Sequence, residues 1–452
     1  MKQITRRDFF AKSKSSAAGI ALGSLAVSTW NPKRILGANE RINVALIGCG
    51  GRGRVLIRNL IEMGQEIACL CDINPQRLAA MAREISKSQE TTPRLVNHMQ
   101  KVFDDKDIDG VIIATPDSWH GLASIMACQH DKDVYVEKPH SHNIWESRKM
   151  IEAARKYKRV LQVGTQNRSA PANYAAREYI ANKQLGDIRL VKVYNLKPGG
   201  PFRMGKPGTQ PKGFDWDAWL GPVAYRPYHQ RLFRGGWHKF WDFSGGDLAN
   251  DGIHQFDLAC MLMGIHSAAK AVSCSGGRLQ YKGDDAEVPD VLVTTYDFDD
   301  FVMTLVMTNY PKYMRKTTST IRRNDEFPYW TQNATRIELY GSKELMIVGR
   351  HGGGWVTMIS GGKVVEKHYG RPSDQLHLQN FLDCIKSRKR ANADVETLHP
   401  SLTMIHMTNI AHRLGNLKLR FDAQAERFID NAEANKLLKR SYREKYKIPD
   451  KV

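Results

Sequence analysis

The 452-residue chain has little cysteine, no internal repeat, no low-complexity tract and no apolar run long enough to span a bilayer. Its seven cysteines (Cys49, Cys69, Cys71, Cys128, Cys260, Cys274 and Cys384) are too few and too scattered for a disulfide scaffold. None pairs at the CxxC spacing of a metal site, and Cys69 and Cys71 alternate along an expected strand, so they read as small core residues. Acidic residues are also scarce: 47 Asp and Glu face 67 Lys and Arg, a net charge of +20. The cations are dispersed. Their densest cluster, Lys386 to Arg390, reads as a solvated helix end, and no nucleic-acid partner is expected. With 42% apolar and 25% charged residues the chain is of soluble globular composition, which excludes disordered, collagen-like and coiled-coil proteins.

What is present begins with an address. The basic start of the chain is followed by the small and apolar run Ala17 to Val27, and small residues recur near Gly37 and Ala38. Thr5-Arg6-Arg7-Asp8-Phe9-Phe10 followed by Lys12 is similar to a twin-arginine export motif, so residues 1–38 are expected to be a signal segment and the protein periplasmic or otherwise exported. That segment holds seven basic residues and one acidic residue, leaving +14 on the remainder, a balance compatible with anionic substrates or envelope surfaces.

A nucleotide fold is expected directly afterwards. The β-rich run Arg41 to Ile47 leads into Gly48-Cys49-Gly50-Gly51-Arg52-Gly53, and residues 54–63 have helical periodicity. In this strand–GxGxxG–helix unit Gly48 permits the tight turn, Gly50 admits a pyrophosphate, and Gly53 allows close helix–strand packing. The pyrophosphate would sit on the helix N-terminus, where free N–H groups favour an anion. Asp72, 24 residues beyond Gly48 at the end of the next strand, can accept hydrogen bonds from ribose hydroxyls and would repel a 2′-phosphate, which favours NAD over NADP. Further units follow: strand 109–115, a helix opened by Trp119-His120, strand 133–136 stopping at Glu137-Lys138-Pro139, helix 143–157 and strand 159–163. Lys138, at a strand's carboxyl end, falls at the crevice where ligands of such sheets bind.

From Ile188 onward, β-branched runs at 189–194, 291–298, 301–308, 336–340 and 344–348 are separated by turn signals, as in an antiparallel sheet, with Asp299-Asp300 as a hairpin. Helices over Gln375 to Arg388 and Pro400 to Leu414 are expected to cover that sheet, and the charged tail 423–452 to wrap the first domain or a partner subunit. Segment 214–243 holds Trp216, Trp219, Trp237 and Trp241 among other aromatics. It reads either as a carbohydrate pocket or as a satellite core.

Glu137-Lys138-Pro139, the glycine turn and Ala114-Thr115-Pro116 before His120 together resemble the Gfo/Idh/MocA oxidoreductase family, from about Ile42 through most of the C-terminal half. Residues 137–147 and 245–257 suggest its exported, twin-arginine branch. The resemblance implies an α/β chain: a Rossmann doubly wound parallel sheet (39–165), an α+β domain with a large, mostly antiparallel open-faced sheet (166–422), and the tail 423–452. It implies that Lys138 contacts the substrate hydroxyl and nicotinamide region and that His254 is the acid/base. Family dehydrogenases usually carry Asp four residues before that histidine; here it is Asn250, whose amide can orient the ring but supplies no charge. The expected cofactor-binding set is Gly48, Gly50, Gly51, Arg52, Gly53, Asp72, Thr115, Pro116, His120, Glu137, Lys138 and Gln166, and the expected substrate contacts are Trp237, His238 and Asp251. Asp251, His254 and Asp257 at spacing three are also half of a metal ligand set, but no metal is expected because such spacing is common by chance.

The function expected is an exported NAD(H)-dependent oxidoreductase acting on a sugar, polyol or glycoside hydroxyl with tightly held cofactor. Alternatives are an NAD-dependent glycosidase working by transient oxidation and elimination, and a sugar-binding module without turnover. The resemblance also implies a homo-oligomer.

Overall fold

The computed structural model describes residues 41–318, 321, 327–328 and 330–452. The expected signal segment 1–38 lies outside the described residues. Six short strands build the first sheet: β1 (Val44–Ile47), β2 (Ile67–Cys71), β3 (Arg94–Val96), β4 (Gly110–Ile113), β5 (Asp133–Val136) and β6 (Leu161–Val163). They are parallel in the order β3-β2-β1-β4-β5-β6, so the chain reverses direction across the sheet between β1 and β4. That reversal opens a crevice at the carboxyl ends of these two strands.

Their connecting helices are α1 (Gly51–Glu62), α2 (Pro75–Ile85), α3 (Asp117–Gln129) and α4 (Ile144–Lys156). Local chemistry starts two of them. Asn74 accepts from the Arg77 N–H with Pro75 at the first helical position, and Asn143 accepts from the Glu146 N–H. Each such cap contributes about 1 kcal/mol. β1, β4 and β5 are buried on both faces, as near-continuous apolar runs between two helical layers require.

After α5 (Pro171–Ala181) comes the second sheet: β7 (Ile188–Leu196), β8 (Ala271–Gly277), β9 (Val291–Asp297), β10 (Val302–Thr308), β11 (Arg336–Gly341), β12 (Leu345–Gly349), β13 (Trp355–Met358), β14 (Val364–His368), β15 (Leu419–Asp422) and β16 (Arg427–Phe428). Its order is β14-β13-β12-β11-β7-β10-β9-β8-β15-β16, antiparallel except for the β7–β10 pair. Asp299-Asp300 does turn β9 into β10, with Asp297 opposite Val302. Alternate residues of β7, β9 and β10 are buried under α6 (Ile253–Met263) and the long helix α8 (Val395–Arg413), while the other face stays open.

Two expectations are corrected here. The helix over 375–388, α7 (Asp374–Ser387), does not cover the antiparallel sheet. Leu378, Phe381, Leu382 and Ile385 pack with Leu56, Ile112 and Tyr135 on the first sheet. And α8 starts five residues before Pro400, capped by Asp394. Proline commonly marks a helix start because it lacks an N–H, but Val395 and Leu398 bury in the first core and Leu402, Met404 and Ile405 in the second. Burial at both ends holds the extra turn. The tail packs on the first domain through Tyr446, Ile448 and Val452. Everything described therefore belongs to one compact unit. Among the described residues no helix is long and apolar enough to cross a membrane, and all seven cysteines are free and buried.

Candidate active site

The glycine turn follows β1 directly. Gly48 has φ 101°, and a side chain there would meet the Ala114 carbonyl oxygen at 2.6 Å. Gly50, by contrast, faces open space, and α1 begins beside it with no acidic residue in its first turn. An exposed backbone ahead of a helix N-terminus is what a pyrophosphate needs, so these residues fit a dinucleotide. Asp72 braces the turn: its carboxylate accepts from the Cys49 N–H at 2.8 Å and from the Asn74 N–H at 2.7 Å. Burial raises its proton affinity, and those two N–H groups and Arg77 oppose the rise.

A cavity of about 430 Å³ lies in the crevice. Its wall carries every residue of the expected cofactor set except Gly53, which packs inward on the Gly48 carbonyl, and Gln166. A second cavity, of about 360 Å³, shares Arg52, Glu137 and Lys138 with the first and brings in Gln166, His254, Arg350, His351, Arg371 and Asp374. Arg52 forms the partition. Its guanidinium donates to Glu137 at 2.7 Å and to Asp374 at 3.0 and 2.6 Å. His120 is a brace in the wall, its ring nitrogens 2.7 Å from the Pro139 carbonyl and 2.9 Å from that of Thr115. It thereby joins the ends of β4 and β5.

Lys138 stands between the two cavities, just before a cis Pro139. Its Nζ donates to the Asn250 main-chain oxygen at 2.5 Å and to Asn250 Oδ1 at 2.8 Å. Asn250 lies in a π-helical turn, Leu248–Gly252, that runs into α6, and such turns gather at functional sites. The expectation that Asn250 orients the His254 ring is therefore corrected: the amide holds the lysine. His254 Nδ1 is buried without a hydrogen-bond partner. Burial pushes the His254 imidazole well below its usual range; Arg350 and Lys138 push the same way and Asp251 opposes them. Lys138 is lowered by burial too, against Glu137, Asp251 and Asp117. Arg350 thus keeps the proton affinity of both groups down, and Lys138 adds to the effect on His254.

The remaining expected contacts divide. Trp237 lies on the wall of the first cavity, whereas His238 and Asp251 line neither. Asp251 pairs with Lys197 and Lys316, each at 2.9 Å. Asp257 is bound by Arg168 at 2.8 and 2.7 Å and by Ser401 at 2.9 Å, so the three residues at spacing three serve different partners. Trp216 and Trp219 stack at 4.6 Å inside an apolar cluster with Phe214, Leu220 and Phe243, which makes them satellite core rather than open sugar platforms. Sequence reasoning missed Arg350, His351, Arg371 and Asp374. The sole local sign was the glycine-rich loop after Arg350, which carries no chemistry by itself.

Comparison with known proteins identifies the domains. An oxidoreductase family model with an NAD-binding Rossmann fold matches residues 42–165, and its C-terminal alpha/beta domain model matches residues 203–298 and 353–448. The scyllo-inositol 2-dehydrogenase (NAD(+)) of Bacillus subtilis is 28% identical over 243 residues, 53% of this chain and 58% of that protein. A glycosyl hydrolase family 109 protein of Stenotrophomonas maltophilia is 33% identical over 138 residues, 28% of each chain. The matched segments thus span about a quarter to three fifths of these relatives. The aldose–aldose oxidoreductase of Caulobacter crescentus shares the fold at a TM-score of 0.62 and 18% identity, over 84% of this chain and all of that one. On these matches the chain belongs to the Gfo/Idh/MocA oxidoreductase family, with an NAD-binding Rossmann domain over residues 42–165.

Proposed function

We propose that the protein is an exported oxidoreductase that moves a hydride at a hydroxyl-bearing carbon of a sugar, polyol or glycoside and keeps its NAD(H) throughout. The observation that carries this reading is the placement of Lys138, anchored by Asn250 on the border of the glycine-turn cavity, with the buried His254 imidazole, its Nδ1 without a partner, in the adjoining one. The Bacillus inositol dehydrogenase supports the substrate class.

Bound NAD supplies the hydride acceptor; the protein handles the proton. Lys138 has three N–H donors and places two on Asn250, which leaves one for a substrate oxygen. His254, kept neutral by burial and neighbouring cations, accepts the hydroxyl proton as the C–H bond breaks and returns it in the reverse direction. The Arg6-Arg7 motif supports export in the folded state, and a cofactor loaded before transport need not be found outside the cytoplasm. The open sheet face, with Val293 and Val302 exposed, is the surface through which copies would pair.

A second reading has its own support. Asn250 leaves His254 without the carboxylate of a simple dehydrogenase, and the family 109 relative is named a glycosyl hydrolase. Oxidation of one ring hydroxyl acidifies the neighbouring C–H. The glycosidic bond then leaves by elimination, water adds, and the hydride returns.

Mass spectrometry of nucleotide released on denaturing the purified protein tests the first reading. Near-stoichiometric NAD or NADH is expected, NADP would overturn the role of Asp72, and an empty protein would overturn retention. With glycosides, sugar release without NADH accumulation would select the second reading.

A further inference from the structure

We propose that Phe233 and Arg234, supplied by the second domain, are dinucleotide-binding residues, and that the segment carrying them is a roof that slows cofactor release. The inference rests on NAD binding in the glycine-turn cavity and adds residues outside the Rossmann domain to that site.

Four observations lead to it. First, Trp219, Phe233, Arg234 and Trp237 line the same cavity as the glycine turn and Asp72. Second, this cover is fastened to the Rossmann domain on both rims. On one side Gln76 donates to the Lys212 carbonyl at 3.2 Å and the Arg77 guanidinium lies 4.0 Å over the Phe233 ring. On the other, Trp119 Nε1 donates to the Trp219 carbonyl at 3.0 Å and Ser244 donates to Asp117 at 2.6 Å.

Third, the C-terminal tail holds the cover from outside, since Arg443 donates to the Gly221 and Asp217 carbonyls, each at 2.7 Å. Fourth, Arg234 has no carboxylate partner among the described residues, although it lines the cavity and lies near enough to Arg77 to repel it. The Arg77 and Arg234 guanidinium groups, in a cavity whose wall also carries Asp72, Asp117 and Glu137, are complementary to an anionic pyrophosphate bound at the helix N-terminus. A ligand enclosed this way leaves only when the cover lifts, so its off-rate is set by the rim contacts.

Release of NADH is measured by stopped-flow displacement with excess NAD, read through energy transfer from tryptophan. Arg234→Gln is expected to speed release about tenfold, the weight of one charge-assisted contact, and to weaken its salt dependence. Phe233→Leu, which keeps bulk against Phe214, is expected to speed release with little change in apoprotein melting temperature. Phe233→Ala provides a larger truncation, and Arg77→Gln removes the rim contact from the opposite domain. Wild-type release rates in Arg234→Gln and Phe233→Leu, with uptake intact, would overturn the roof alone. A wild-type protein that neither carries nucleotide as purified nor takes up NADH would overturn both this inference and the NAD reading it rests on.

Discussion

Lys138 Nζ is held by both oxygens of Asn250, at 2.5 and 2.8 Å, across 112 residues of sequence. The side chain supplies one neutral acceptor beside the main-chain oxygen, where an aspartate would supply a charge. Lys138 is already lowered by burial, so a neutral holder leaves its proton affinity down. Asn250→Ala removes only the side-chain acceptor and is expected to lower kcat/KM by about tenfold, the weight of one hydrogen bond to a charged group. Asn250→Asp adds the charge and is expected to move the alkaline limb of the kcat/KM profile upward. An unmoved limb would place Lys138 outside the proton chemistry.

His254 is the group expected to take the substrate proton. His254→Ala should lower kcat by roughly 10²- to 10⁴-fold and leave NADH affinity intact, because the imidazole lies in the second cavity. A base must be neutral to act, and this one is depressed by burial, Arg350 and Lys138. The acid limb should therefore fall below the imidazole's usual value of about 6.5. Arg350→Ala removes one repelling cation and should shift that limb upward. Activity that fades near the ordinary histidine value in wild type would contradict the assignment.

Two other buried histidines set a pH dependence of stability. Burial brings His377 and His406 each down to about 4. The unfolded chain binds their protons at about 6.5, so between these values the unfolded state holds more protons and stability falls as pH falls. The slope is on the order of 1 kcal/mol per pH unit for each histidine and ends near the folded value. Melting temperatures from pH 7 down to 4 should fall progressively. His377→Gln, whose ring donates to the Val163 carbonyl and accepts from Ser169, should be less stable at pH 7 but show a shallower decline.

The aromatic segment separates structure from binding. Trp216 is 5% exposed and stacked on Trp219, so Trp216→Ala should cost roughly 3–5 kcal/mol of stability. Trp237 is half-buried on the cavity wall, and Trp237→Ala should weaken ligand binding with a smaller change in melting temperature. Thermal denaturation and calorimetric binding on the same two variants compare these effects directly. Equal losses of stability would return Trp237 to the core.

Features that depend on neighbours a few residues away are legible along the chain. The glycine turn, the buried strands β1, β4 and β5, the Asn74 and Asn143 caps and the hairpin at Asp299 all follow from backbone freedom, side-chain period and short-range hydrogen bonds. Lys138 was legible because it ends a strand that such a sheet points at its crevice. What that lysine touches depends on long-range packing. The Lys138–Asn250 contact, the Arg52 bridge from Glu137 to Asp374, the cavity that Arg350 and Arg371 share with His254, and the one that Phe233 shares with Asp72 join residues dozens to hundreds of positions apart. Periodicity reports which face of an element is buried. It does not report which distant element covers it, and the same packing carried α7 to the first sheet and began α8 before its proline.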